Sequence, residues 1–422
     1  MGEKTGRKMK VRAVFLLGSN PSFIRKDGMG FEDIHDASLQ ESKTDGILRE
    51  VGIEIEKKVL VRKEEDLNEL ELNCDAFIIF AHCLHRFPQL ITLAQTGIPL
   101  VVSGEEGALG EALDLYQYLA EYENVRVACD YEEIRRSIRV VNAAWRIKRV
   151  KVCLFDTGER SLNGAAWYKN PLLKGEFNTQ RVDVSDLKAR YENVERREAK
   201  SLAKVWGTEC TVLGPTMEDI VRSARVYIAM KGIIEETGGD VSYVLWCGQF
   251  NDLFGTKMCL AIAKLNDAGY LTGCWRGENF LPMLILHELS GGPIFFGEVH
   301  MYRDGVLSLR HCAVPTKIAS SPAVLRPWRD RKGTVATYCE MARGEVTLVN
   351  SGTGERMVVM KGEVVESKDL GGDNCRTTVW VRIDERRIVH RLTGREFAMV
   401  YGNYTEEAGE VGRLLGIEVE GS

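Results

Sequence analysis

Apolar and polar positions follow two rhythms along this chain, and the change between them divides it. Up to about residue 315, short β-branched or aromatic runs alternate with stretches whose apolar positions stand three and four apart. Residues 10–18 (KVRAVFLLG), 53–61, 75–80 (DAFIIF), 98–103 (IPLVVS) and 125–129 read as strands; residues 43–52, 88–96, 109–121 and 131–148 read as helices. A second series opens at residues 150–155 (VKVCLF). It continues with a helix capped by Ser185 and running past Glu198, a strand over 210–213, and a helix capped by Thr216 and stopped by Gly238 and Gly239. A strand over 241–246 and a helix over 253–267 complete it. Strand and helix alternating in cycles of roughly 25–30 residues predict open parallel sheets.

Beyond about residue 316 the period shortens to two. GEVTLVN, ERMVVMKGEVVES, CRTTVWVRI and REFAMVYGN are β-branched runs separated by glycine-bearing turns at Ser351-Gly-Thr-Gly and Leu370-Gly-Gly-Asp. A helix over 405–415, closed by Gly416, ends the chain. The fold class expected is therefore α/β: two doubly wound α/β domains with mainly parallel sheets (1–148 and 149–315), then a small antiparallel β-barrel domain with a terminal helix (316–422).

Between the two rhythms lies the stretch 274–298, CWRGENFLPMLILHELSGGPIFFGE. It reads as a polar loop, one apolar helix, a Gly-Gly-Pro break and a short strand ending on Glu298. Asn279 suits the N-cap, Pro282 fits in the first turn, and Gly291 and Gly292 stop the helix. Glu278 at the helix mouth and Glu298 at the strand end suit two readings. They share a cation or flank a substrate, or they are a helix-dipole partner and a solvated strand end.

Composition adds limits. The 422 residues suggest roughly two to four domains, and 44% hydrophobic with 28% charged residues suits a fully folding chain. A net charge of −5 gives no global pull toward nucleic acid. No apolar run approaches the ~18 residues of a membrane span. The basic start MGEKTGRKMK lacks the apolar core of a secretory signal, and Gly2 lacks the serine or threonine at position 6 that myristoylation needs. The 11 cysteines include no CxxC pair, against a disulfide framework or a structural zinc site. The expected compartment is a reducing cytoplasm, and abundant Glu, Lys, Arg and Val with sparse Gln and Asn hint at a thermophilic source.

Candidate chemistry is scattered. Residues 157–164 follow a strand, where such sheets hold ligands, and form a candidate site wall. Of the seven histidines, His82 and His85 suit a loop pair and His287 a core position. His311 ends a strand near Glu298, which suits either a divalent cation or a structural hydrogen bond. The loops at 17–21 and 103–107 carry glycines at strand ends. Arg326, Arg329, Asp330, Arg331 and Lys332 form a charge cluster, either a solvated loop or a grip for phosphate or carboxylate. No nucleophile elbow is present.

The order of parts then resembles the L-fucose isomerase and L-arabinose isomerase superfamily. The resemblance rests on LSGGPIFFGE, a strand ending HCAVP, a barrel beginning GEVTLV, and the close TGREFAMVYGN followed by TEEAGEVGRLLGIEV. It covers residues 150–422 by motif and the rest by architecture. It implies a divalent metal, commonly manganese with cobalt or magnesium as substitutes, and two carboxylates that move a proton between C1 and C2 of a sugar through an ene-diol. It also implies a homo-oligomer, trimeric or hexameric.

Carried over by residue, Glu298 stands where that family has its second metal carboxylate. The first falls on Cys274-Trp275-Arg276, which offers none, so Glu278 is the replacement acid/base and ligand. The late metal histidine falls within Gly394-Arg395-Glu396-Phe397, where Glu396 offers oxygen. His311, Trp275, Arg276 and Arg395 are expected to line the substrate. The two arginines oppose a metal ion and favour an anionic group. The expectation is a metal-dependent aldose–ketose isomerase; the alternative is a metal-free binder of an anionic sugar, or another reaction on the same scaffold.

Overall fold

The fold is that of a computed structural model, which describes residues 8–16, 46, 49, 54–61, 66–67, 70–81, 88–104, 109–156, 177–352, 354–383 and 390–420. The expected loops at 17–21 and 105–107, most of the helix at 43–52, His82, His85 and the candidate wall at 157–164 lie outside these residues. The chain forms two compact units, Met1–Trp145 and Arg146–Ser422.

In the first unit, strands β1 (Lys10–Leu16), β2 (Glu54–Val61), β3 (Ala76–Ala81), β4 (Leu100–Gly104) and β5 (Val125–Ala128) form one sheet. Its order is β2-β1-β3-β4-β5, and every pairing is parallel. The inner strands β1, β3 and β4 are almost wholly buried, as expected where helices cover such sheets on both faces. Phe15 and Phe80 stack across β1 and β3 with ring centroids 4.9 Å apart.

The second unit begins with another parallel sheet. It contains β6 (Lys151–Asp156), β7 (Asn178–Asp183), β9 (Val241–Leu245) and β10 (Thr272–Trp275), in the order β10-β9-β6-β7. Strand order reverses at β6, so the crevice where such sheets hold ligands lies beyond the carboxyl ends of β6 and β9. β8 (Thr211–Val212) belongs instead to a three-stranded sheet with β13 (Val324–Arg326) and β14 (Ala336–Tyr338).

The barrel strands are β11 (Phe295–Arg303), β12 (Val306–His311), β15 (Gly344–Asn350), β16 (Arg356–Lys368), β17 (Thr377–Ile383) and β18 (Glu396–Tyr401). They run in the order β15-β18-β11-β12-β17-β16, and the pairing of β15 with β16 closes the ring. All six pairings are antiparallel. The expected α/β-plus-barrel class is therefore what the chain adopts. A further strand, β19 (Glu418–Glu420), pairs in parallel with β16.

Several local expectations change. The helix expected to run from Ser185 past Glu198 is two helices, Val184–Glu192 and Arg196–Glu209. Asp183 caps the first, and the backbone and side chain of Asn193 both donate to Ala189 O (3.2 and 2.9 Å), ending it. The helix expected over 253–267 is interrupted at Gly255 (φ +59) and resumes as Cys259–Asp267. β7 is a polar, largely exposed edge strand, so it lacks the alternation that reveals strands. Glu298 does not end a strand: β11 continues to Arg303 and turns at Asp304-Gly305 into β12.

The turn at Ser351-Gly-Thr-Gly joins β15 to β16, as expected. Gly352 has φ +48, and a Cβ there would fall on the Thr393 carbonyl. That packing pins the hairpin against the segment leading into β18. Gly352→Ala should lower stability by about 1–3 kcal/mol in urea or thermal unfolding; an unchanged midpoint would show that the hairpin end is not held this way.

Candidate active site at the sheet–barrel junction

The carboxyl ends of β9 and β10 carry two tryptophans in strained backbone. Trp246 has φ +52 and Trp275 φ +98, a region that bulky residues rarely occupy. The Trp246 N–H donates to Trp275 O (2.9 Å), and their rings lie 5.5 Å apart at 59°. The Arg276 guanidinium carbon sits 5.9 Å from the Trp246 ring. Sequence reasoning singled out Trp275 but missed Trp246, because left-handed backbone leaves no signature in a tryptophan. Its position just past a buried strand was the only available signal.

The chain then turns under a buried phenol. Tyr243 Oη accepts the Gly277 N–H and stands against Cys274 O and Asn279 Oδ1, each at 2.8 Å. Asn279 holds the N-cap position of the helix Phe280–Ser290, as expected, but its side chain makes no capping bond. The carboxyl that reaches this helix mouth is that of Glu396: Oε2 accepts the Asn279 N–H (3.2 Å) and Oε1 the Arg276 N–H (3.5 Å).

Three carboxyls meet here. Glu298 on β11 pairs directly with Glu396 on β18, which places both on one face. Glu278 Oε2 accepts the Arg395 N–H (2.7 Å) and the Glu396 N–H (3.3 Å). Glu278 thus holds the Glu396 amide, while Glu396 holds amides on either side of Glu278, those of Arg276 and Asn279. Gly394 is small for a reason, since a Cβ there would come within 2.6 Å of Glu278 Oε2. Asn350 locks the same segment by donating to Gly394 O (3.0 Å) and Glu396 O (2.8 Å).

Their electrostatics differ. Glu396 is 3% exposed. Burial, reinforced by the charges of Glu278 and Glu298, pushes its carboxyl well above the usual range, outweighing the two amide hydrogen bonds. It therefore holds a proton more tightly than an ordinary glutamate. Glu298 instead faces cations: its Oε2 is 2.8 Å from Arg395 Nη2 and its Oε1 is 3.6 Å from Arg310 Nε.

His311 takes the structural half of its expected alternatives. Its Nδ1 accepts the Ala313 N–H (3.0 Å), so the ring proton belongs on Nε2, 3.7 Å from Cys274 Sγ. The ring tilts against Phe296 with centroids 4.5 Å apart. Burial pushes its pKa down to about 3, leaving a neutral imidazole without a lone pair to offer.

The expected divalent metal needs several converging donors. Among the described residues, no group of three or more His, Cys, Asp or Glu is arranged to hold one. Glu278 and Glu298 are bridged instead by Arg395, through its backbone N–H on the first and its guanidinium on the second. As arranged, the donors do not fit the metal, and the chemistry they support is that of carboxyls and guanidiniums. Of the expected site residues, Glu278, Glu298, Glu396, Arg276, Trp275 and Arg395 come together. His311 lies beneath them at Cys274.

No family model matches the chain. Sulfoquinovose isomerases do resemble it. The protein of that name from Priestia aryabhattai is 26% identical over 245 residues, 54% of this chain and 55% of the relative. The one from Alkalicoccus urumqiensis is 28% identical over 257 residues, 56% and 57% respectively. The match spans about half the length of these relatives. Among the described residues, no helix is long and apolar enough to cross a membrane.

The raised Glu396 carboxyl has a consequence for stability. In the unfolded chain it ionises above about 4.5, the ordinary value for glutamate, whereas in the fold it keeps its proton to higher pH. The fold therefore binds the proton more tightly, and native stability falls as pH rises above that value. Glu396→Gln removes the effect. The variant's melting temperature should gain on the native protein's between pH 5 and pH 8; a gap that stays flat or narrows would refute a neutral Glu396.

Proposed function

We propose that this protein interconverts an aldose and a ketose by moving a proton between adjacent sugar carbons. The observation that carries the reading is the Glu298–Glu396 pair: two directly opposed carboxyls, one whose burial strengthens its hold on a proton and one placed between two guanidiniums. An ene-diol pathway needs this division of labour. Glu298 removes the proton from C2 and returns it to C1. Glu396 gives its proton to the carbonyl oxygen as negative charge develops there and recovers one from the neighbouring hydroxyl, so the carboxyls end as they began. Arg395 and Arg310 orient Glu298, and Glu278 fixes Arg395 and Glu396 through their backbone. The tilted Trp246–Trp275 pair offers an apolar wall against one face of a sugar.

The relatives' name supports a sugar isomerase and suggests sulfoquinovose, a sulfonated hexose, as the first substrate to try. In deuterated water, turnover should place deuterium at the carbon that exchanges its proton. Glu298→Gln and Glu396→Gln should each lower kcat on the order of a hundredfold or more while the fold persists. Isomerisation unaffected by both changes would remove the mechanism.

No step passes through a metal. Manganese, cobalt or magnesium would have to displace Arg395 from Glu298, so none should raise the native melting temperature and chelation should leave turnover unchanged. A clear rise with manganese would restore the metal-dependent reading. Assembly as a trimer or hexamer belongs to the same proposal, and mass in solution tests it.

A further inference from the structure

The charge cluster at 326–332 has no part in the proton transfer, yet its geometry is that of a built site. Three cations surround one indole. Lys257 Nζ lies 4.0 Å from the Trp328 ring centroid, and the guanidinium carbons of Arg329 and Arg331 lie at 4.7 and 5.0 Å. They come from two separate segments, so sequence proximity alone did not gather them.

The loop's acid does not neutralise them. Asp330 Oδ1 turns to the buried Arg376 (3.3 Å) and to Arg326 (3.6 Å), and its Oδ2 accepts the Gly372 N–H (2.8 Å). Asp369 faces the same two arginines at 3.3 and 3.4 Å. Among the described residues, Lys257, Arg329 and Arg331 meet no carboxylate. Arg329 Nε is out of contact with water and has no acceptor. Burial, above all, pulls the Lys257 ammonium below its ordinary pKa, and the charges of Arg331 and Arg329 pull the same way. Three like charges gathered without a counter-charge are unfavourable unless an anion joins them.

The backbone is strained at the same point. Arg329 (φ +47) and Asp330 (φ +55) are consecutive left-handed residues, neither of them glycine. The loop is held in this form from outside. Trp328 N–H donates to Thr334 Oγ1 (2.9 Å), Thr334 Oγ1 donates to Arg331 O (2.6 Å), and Asp330 is tied to Arg376. Strain kept by surrounding contacts is expected where a group must be presented.

The cluster also borders the carboxyl site. The charged neighbours of Cys375 include Arg329 and Glu298, and those of Cys247 include Lys257. Cys247 in turn contacts Cys274, the residue before Trp275.

We propose that Lys257, Arg329 and Arg331, arrayed around Trp328, bind a tetrahedral oxyanion group, sulfonate or phosphate, carried by the sugar whose carbons react at Glu298 and Glu396. Three cationic groups from two segments match the three terminal oxygens of such a group, whereas a planar carboxylate uses two. The indole fills the space behind it and excludes water. The inference rests on the isomerase reading only for the sugar to which the anion is attached.

The first test needs no turnover. At a few millimolar and constant ionic strength, below the range of sulfate's general stabilising effect, inorganic sulfate and phosphate should raise the native melting temperature above that in chloride. Lys257→Ala/Arg331→Ala should abolish the rise. Arg329→Gly should raise the ligand-free melting temperature by relieving φ, and should still lose the anion response. A response that persists in these variants overturns the proposal.

The second test compares sulfoquinovose, glucose 6-phosphate and glucose as substrates. The ratio of kcat/KM for the anionic over the neutral sugar should fall about tenfold or more in Lys257→Ala/Arg331→Ala. The better anionic sugar tells sulfonate from phosphate. An unchanged ratio with turnover intact removes the subsite and leaves the isomerase. A lost sulfate response with no sugar isomerised leaves the subsite and removes the isomerase.

Discussion

Glu278 and Glu396 each place a carboxyl on the backbone of the other's segment, and the positions of the remaining site groups follow from that exchange. Glu396 satisfies amides at the mouth of the helix Phe280–Ser290, where the first turn has no intrahelical acceptors. Glu278 satisfies amides where the chain enters β18. The clasp joins a loop of the parallel sheet to a barrel strand, at a border where the two layers already share a hydrophobic core. Gly394 and Asn350 make it possible, the first by leaving room and the second by fixing the backbone.

Bringing three carboxyls together raises a charge problem with several physical solutions: a metal ion, a proton, a guanidinium or backbone amides. In the familiar isomerase arrangement a divalent cation does most of this. Here Glu396 keeps a proton, Glu298 faces Arg395 and Arg310, and Glu278 rests on amides. Arg395 contributes to two of these solutions at once, through its backbone and its side chain. This also accounts for an arginine at a position where its charge would oppose a metal: it answers Glu298.

Much of the fold was legible because burial patterns are periodic. Barrel strands such as Thr377–Ile383 alternate, with Val379, Val381 and Ile383 buried between Trp380 and Arg382, and the helix Met217–Thr237 announces itself with a capping box between Thr216 and Asp219. The polar edge strand Asn178–Asp183 and the four-residue Thr272–Trp275 carried no such rhythm and were not anticipated. For the site, the residue types at Glu278, Glu298 and Glu396 were visible, but their states were not. Glu396 holds its proton more tightly than an ordinary carboxyl because the pairing of β11 with β18 sets it, buried, opposite Glu298. That is a property of register between distant strands. Likewise the cluster at 326–332 was visible as composition, while the cations left unneutralised there depend on Arg376, 46 residues from Asp330.

The distribution of backbone strain ties these parts together. Among the described residues, five that are not glycine adopt positive φ: Trp246, Trp275, Asp304, Arg329 and Asp330. Asp304 stands with Gly305 in the tight turn between β11 and β12, where such dihedrals are the usual solution for a two-residue hairpin. The other four have no such local excuse. Trp246 and Trp275 lie side by side at the ends of parallel strands, and Arg329 and Asp330 lie in the cationic loop. Each conformation works against folding unless surrounding contacts impose it. A chain that needed only stability would relax these positions to glycine or asparagine. Their occurrence at two borders of one carboxyl cluster is what a binding site with an apolar wall and a cationic end would require.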